Sequence, residues 1–236
     1  NGSDEVIDLT FRIFCNPGTD KALTFTPTYG MYEVSATIND IELIKIPLTR
    51  TFQINFDALE NYLGDENLKL IFICSPNNPT ANSLENIEKV LQKFNGMVIV
   101  DEAYIDFSRA DSFLDKIETY PNLIVMQTFS KAWGLAAARV GMAYANSEVI
   151  SFYNKVKPPY NVSEPNQKAA ISALADVAGY GQRKSVILGQ RTWLENQLPA
   201  LAVVKKIYPS DANFLLVEMT DANKIYNELV NRKVIT

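Results

Sequence analysis

In the stretch TFSKAWGLAAAR (128–139), Lys131 stands behind an apolar run, with Ser130 before it and Arg139 eight residues after it. An amine at the end of a buried strand can form a Schiff base with a carbonyl, and an arginine is the natural bidentate partner of a phosphate. Asp101 closes the apolar run MVIV, where a carboxylate is partly desolvated and needs a cationic partner. Tyr104 lies three residues further on, and Asn77 and Asn78 sit between prolines that fix their loop and remove backbone donors. Ser3 and Asp4, at the start of a helical pattern, offer backbone N–H groups and a favourable dipole to an anion, and Tyr29 in PTYGMY offers a ring.

Each of these groups also has an ordinary use. Ser3 or Asp4 can cap a helix, Asn77 and Asn78 can make an Asn-Pro turn, and Asp101 can cap a turn or helix. Tyr29 and Tyr104 can be packing rings, and Lys131 and Arg139 solvated surface cations. Together they are more specific: an anion loop, an aromatic plate, an asparagine, a strand-end aspartate, a tyrosine, and Ser-Lys followed by Arg. An aldehyde-bearing phosphopyridine needs that set, with the aspartate keeping the ring nitrogen protonated and the lysine tethering the aldehyde and shuttling a proton.

Composition removes the main competitors. With no histidine in 236 residues, Ser-His-Asp and Cys-His catalysis are impossible within the chain, and no metal site is expected. A net charge of -5 without clustered Lys and Arg argues against a nucleic-acid surface. No apolar run reaches the length of a membrane span, and NGSDEVIDLT has neither the charged nor the apolar region of a signal peptide. Two cysteines, Cys15 and Cys74, make no disulfide framework and read as inert buried thiols, so a reducing cytoplasm is expected.

The elements that must position these groups alternate between strands and helices. KALTFT, IELIKIPL, LKLIFICS, MVIVDEAY and LIVMQTFSKAW read as strands, the last ending at Ser130 and Lys131, and Val140 to Ala145 as a strand of opposite direction. Helices are expected over EVIDLTFRIFC, in PTYGMYEVSATIND, over NFDALENYLG and over SLENIEKVLQKF. The fold class is therefore α/β, three layers with a mostly parallel sheet between helices, and the polar motifs fall at the C-terminal strand ends where such sheets bind ligands. From Ser147 the pattern is helical, with a break at Pro158-Pro159 and a long helix from about Gln182 to Gln197. Two strands, VVKKIYP and ANFLLVEM, and the helix DANKIYNELVNR then open a smaller α+β domain. The division expected is 1–180 for a large domain and 181–236 for an interdomain helix with part of a small one.

NGSDE (1–5), PTYGMY (27–32), SPNNPT (75–80), DEAYIDF (101–107) and TFSKAWGLAAAR occur in the order found in the class I/II pyridoxal-phosphate aminotransferases of fold type I. The chain resembles that family, and within it the histidinol-phosphate aminotransferase branch. The resemblance implies that Ser3, Asp4, Ser130 and Arg139 bind the phosphate of pyridoxal 5'-phosphate and that Tyr29 stacks on its ring. It implies that Asn78 and Tyr104 bond the phenolic oxygen, Asp101 pairs with the ring nitrogen, Lys131 carries the Schiff base, and Asn213 lies near substrate. The reaction implied is amino transfer in histidine biosynthesis, from glutamate to imidazole-acetol phosphate, giving 2-oxoglutarate and histidinol phosphate, in a homodimer. A sibling activity stays open, such as an aromatic-amino-acid aminotransferase or a phosphothreonine decarboxylase, as does cofactor binding without turnover. Ala81 stands where the family commonly has glycine, and Ala137-Ala138 where a glycine-containing run is common. The family also has an arm before NGSDE and substrate-binding arginines beyond the region matched here, so a fragment of a longer enzyme is expected.

Overall fold

The computed structural model describes residues 1–235. Six strands, β1 (Lys21–Thr26), β2 (Glu42–Pro47), β3 (Leu68–Cys74), β4 (Met97–Asp101), β5 (Leu123–Thr128) and β6 (Gly141–Tyr144), form one sheet in the order β2-β1-β3-β4-β5-β6. The first five are parallel and β6 runs antiparallel to β5. Helix α1 (Gly2–Phe14) precedes β1, α2 (Met31–Ile38) follows it, α3 (Phe56–Leu59) leads to β3, α4 (Ile87–Lys93) to β4, and α5 (Ser147–Val156) leaves β6. Beyond lie α6 (Glu164–Ala175), α7 (Val177–Gln197), the antiparallel pair β7 (Val204–Ile207) and β8 (Val217–Met219), and α8 (Ala222–Asn231). No helix of the described residues is long and apolar enough to cross a membrane.

Both faces of the large sheet are covered, which is why its strands are apolar on both sides. Ile71, Ile73, Val98 and Val100 face a cluster with Leu59, Ile87 and Leu91. Leu70, Phe72, Cys74 and Ile99 face the other, with Ile7 and Phe11 of α1 and Tyr32 of α2. Fully buried residues such as Ile71, Phe72 and Ile99 each contribute roughly 1.5–3 kcal/mol, so the strand ends are set on a rigid base. Side chains alternate along a strand, so Asp101, two residues after Ile99, points to the α1–α2 face.

Several element boundaries differ from their sequence patterns. The helix expected over NFDALENYLG is only Phe56–Leu59, capped by the Asn55 side chain, and continues as turns closed by Tyr62 N–H to Leu59 O and Asp65 N–H to Tyr62 O. The helix in SLENIEKVLQKF starts only at Ile87, because Asn86 is left-handed at φ 60° and interrupts the entry. Strand β5 stops at Thr128, leaving Ser130 and Lys131 in a turn closed by Leu135 N–H to Phe129 O at 2.9 Å. The long helix begins at Val177, five residues earlier than expected, where the Asp176 carboxylate accepts the Gly179 N–H at 2.9 Å. It therefore runs across the 180/181 boundary.

The later elements dock on the rim of the sheet near SPNNPT and DEAY. Asp211 N–H donates to Ala81 O at 2.7 Å, and Ser83 N–H donates to the Asp211 carboxylate at 3.0 Å. Tyr180 of α7 donates to Asp106 at 2.6 Å, and its ring stacks on Trp133 with centroids 4.1 Å apart.

Candidate active site

Where β3, β4 and β5 end, a cavity of about 140 Å³ opens. That is close to the volume of an engineered cavity that accepts one benzene ring. Asp101 forms its floor and is 3% exposed. Tyr32 Oη donates to Asp101 Oδ2 at 2.7 Å and Ala103 N–H to Oδ1 at 3.1 Å. Burial pushes the Asp101 carboxyl up to about 6; these two hydrogen bonds act against the rise, and the charges of Asp4 and Glu102 add to it. No ion pair to Asp101 occurs among the described residues, so this buried carboxylate lacks the partner its position demands. Beside it, burial raises the Cys74 thiol well above its ordinary range, which keeps it protonated.

One wall carries Tyr104 and Asn78. Asn78 Nδ2 lies 3.4 Å from Tyr104 Oη, a long contact with room to tighten on a shared ligand atom. The Tyr104 ring meets Phe214 edge-on at 5.2 Å, and the Lys131 ammonium sits 5.1 Å from its centroid. Lys131 reaches the cavity from the turn after β5, with Ser130 and Thr128 beside it, and Ser130 N–H donates to Thr128 Oγ1 at 3.1 Å. The strand was expected to run to Ser130 and Lys131; β5 instead ends three residues before Lys131, and the turn carries its exposed side chain to the cavity mouth.

The opposite rim is built around Arg139. Its guanidinium bonds Asp4 Oδ2 at 3.0 Å and Ala136 O at 3.1 Å, and Tyr29 Oη donates to Asp4 Oδ1 at 2.9 Å. Burial, then the bond to Asp4, raises the Tyr29 phenol, which stays a donor. Two glycines allow this approach. Gly2 is left-handed at φ +70°, and a Cβ there would lie 2.7 Å from Arg139 Nη2; a Cβ on Gly141 would lie 2.4 Å from the Ser3 nitrogen. Gly2 N–H donates to Arg139 O at 2.9 Å, so the first turn of α1, with Ser3 and Asp4, is fastened to the arginine's own backbone. A helix N-terminus beside a guanidinium is a cup for an anion.

The cavity thus brings together Ser3, Asp4, Tyr29, Asn78 and Asp101 with Tyr104, Ser130, Lys131 and Arg139. Asn213 is not among its lining; it is exposed and borders a groove between α7 and α8. Asn77 does not face a ligand. It is buried, and its amide donates to Pro27 O at 2.9 Å and Thr80 Oγ1 at 2.8 Å, so it holds the loop that presents Asn78. Sequence reasoning missed Tyr32 beneath Asp101 and the cavity-lining Thr128, and placed Cys74 in the core without seeing that it also reaches the cavity. For Tyr32 the usable signal was its place three residues after Tyr29 in PTYGMY, and the two rings do meet edge-on with centroids 5.8 Å apart.

A family model described as "Aminotransferase class I and II" matches residues 1–236. The histidinol-phosphate aminotransferase of Cytophaga hutchinsonii is 50% identical over 238 residues, an alignment covering all of this chain and 68% of that protein. Among solved structures, the histidinol-phosphate aminotransferase of Clostridium acetobutylicum superposes with a TM-score of 0.89 at 23% identity, over 99% of this chain and 71% of that one. The enzyme of Sinorhizobium meliloti, solved in complex with pyridoxal-5'-phosphate, gives 0.89 at 24% identity, over 99% and 66%. At such identities these structures establish the mostly parallel α/β fold, and the family follows from the sequence match over the whole chain: it belongs to the class I and II aminotransferases.

Proposed function

We propose that the chain is a pyridoxal-phosphate-dependent aminotransferase that moves the amino group of glutamate to imidazole-acetol phosphate, forming histidinol phosphate and 2-oxoglutarate. The observation that carries the cofactor reading is Asp101, a buried carboxylate with two neutral donors and no cation paired to it among the described residues, across one cavity from a lysine and an arginine. A ring with a protonated nitrogen supplies the missing charge, and a phosphate arm suits the α1 N-terminus and Arg139, so the residues present fit the group. Ser3 and Asp4 through their backbone N–H groups at the start of α1, with Ser130 and Arg139, would hold the phosphate, Tyr29 the ring face, Asn78 and Tyr104 the phenolic oxygen, and Lys131 the aldehyde carbon. When bound, the pyridinium supplies an electron sink for bonds at the substrate's α-carbon.

The chain's own residues do the rest. Asp101 holds a proton at the ring nitrogen, which its anionic form favours and its burial strengthens. Lys131 Nζ, at the cavity mouth, takes and returns the proton of the substrate carbon. Tyr104, packed among Ala103, Phe107, Ala132 and Ala212, closes one side to water. The histidinol-phosphate substrate rests on the relative half identical to this chain. In this reading the enzyme is a cytoplasmic homodimer, with residues 1–180 holding the cofactor and 181–236 contributing the interdomain helix and part of a small domain.

Amino-acceptor profiling tests the reaction. With cofactor and glutamate, imidazole-acetol phosphate should be the preferred acceptor. Faster turnover of aromatic keto acids, or carbon dioxide release from O-phosphothreonine, would remove the substrate assignment and leave the cofactor reading standing.

A further inference from the structure

Tyr32 does not line the cavity and is fully buried, yet it touches both groups that face a ring there. Its phenol donates to Asp101 Oδ2 at 2.7 Å, and its ring meets Tyr29 edge-on, with centroids 5.8 Å apart at 85°. It is itself held in a row of rings, stacked on Phe72 at 5.0 Å, which stacks on Phe11 of α1 at 5.1 Å. We propose that Tyr32 is a positioning residue for the cofactor's ring nitrogen, fixing the plane and charge of Asp101 from below while bracing Tyr29 from the side.

The inference rests on the cofactor reading given above. A buried carboxylate with no cation depends on the donors it has, and Asp101 has two. The Ala103 N–H comes from the backbone and is fixed by the turn after β4. The Tyr32 hydroxyl is the only side-chain donor to it among the described residues, and burial keeps that phenol protonated by raising it well above its ordinary range. Removing a donor to the charged form raises a carboxyl's proton affinity. The other titratable groups around the carboxylate, Asp4 on α1, Glu102 beside it and the protonated Cys74, supply no compensating positive charge. Without the phenol, the proton shared between Asp101 and the ring nitrogen therefore moves toward Asp101.

Tyr32→Phe keeps the ring row and deletes the donor. The holoprotein and this variant would be loaded with pyridoxal 5'-phosphate carrying ¹⁵N at the ring nitrogen, and the nitrogen resonance, cofactor dissociation constant and ligand-free melting curve recorded. The expected result is a wild-type nitrogen that is protonated at neutral pH and a variant resonance displaced toward the unprotonated form. The dissociation constant should rise roughly tenfold, as the loss of one charge-assisted hydrogen bond implies, with a cooperative melt retained. A variant with the same resonance and affinity as wild type overturns the inference. A wild-type protein that takes up no cofactor overturns the reading beneath it as well. Should Tyr32→Phe not fold, a difluorotyrosine introduced at position 32 keeps ring and donor but strengthens the donor. The resonance must then keep the protonated position of wild type, and a displacement toward the unprotonated form is again a refutation.

Discussion

The floor and the rim of the cavity are built on opposite electrostatic terms. At the floor, Asp101 is buried, uncompensated and pushed up to about 6. At the rim, Arg139 is 40% exposed and already paired with Asp4, itself 32% exposed. The floor holds an unfavourable charge that a cationic ring relieves on binding, whereas the rim is satisfied and an arriving phosphate must share or displace Asp4. Stability is given up where the ring's electronics are set, and solvent-screened attraction is used where the ligand is only held.

The largest expected effect comes from removing the floor charge. Asp101→Asn should reduce turnover by about 10²–10⁴, the range for loss of a group acting in proton transfer. It should also change the pH dependence of the ligand-free fold. A carboxyl at about 6 in the folded chain, against its ordinary 3.8, binds a proton that the unfolded chain has already lost between those values. Stability therefore falls as pH rises from about 4 to 6, by about 3 kcal/mol for this group, and stays low above that. Denaturant titrations should show the fall in wild type and its absence in Asp101→Asn; parallel profiles would contradict the floor assignment.

Next comes the backbone of the rim. A methyl group at Gly141 meets the Ser3 nitrogen and Gly2 carbonyl carbon at 2.4 and 2.5 Å, atoms that cannot swing away. Gly141→Ala should cost about 1–3 kcal/mol and, by separating α1 from Arg139, weaken binding of inorganic phosphate. Calorimetry with phosphate checks this, and unaltered affinity would mean the α1 N-terminus plays no part.

Smaller still is the rim ion pair. Asp4→Asn should change stability by no more than about 1 kcal/mol, as exposed pairs do, and should raise phosphate affinity at low salt by freeing Arg139. A large loss of stability would erase the contrast between floor and rim.

The smallest effect is expected at Ala81, fully buried and left-handed at φ 67°, in SPNNPTA. That conformation costs a non-glycine residue about 1–2 kcal/mol. Ala81→Gly relieves it but loses a packed methyl, so the unfolding free energy from denaturant titrations should change by less than about 1 kcal/mol.

The contrast between floor and rim was unevenly legible in the sequence. Lys131, Asp101 and Arg139 could be found because each follows or neighbours an apolar strand, and strand ends in a parallel sheet converge on one rim. The sheet and its antiparallel last strand were legible for the same reason. Tyr32 was not, since an aromatic inside a helical pattern reads as core, and its partner Asp101 lies 69 residues away. Asn77 and Asn78 look alike in sequence, and only packing separates the one that holds the loop from the one that faces the cavity. Helix α4 was overextended because the left-handed Asn86 sits in a sequence that looks like an uninterrupted helix start.

The most direct test of the account is chemical. The chain is incubated with pyridoxal 5'-phosphate, reduced with borohydride, digested and mapped by mass spectrometry. The account predicts one stoichiometric pyridoxyl adduct on Lys131, absent from Lys131→Ala and weakened in Asp101→Asn. An adduct spread over surface lysines, or none on Lys131, would contradict it.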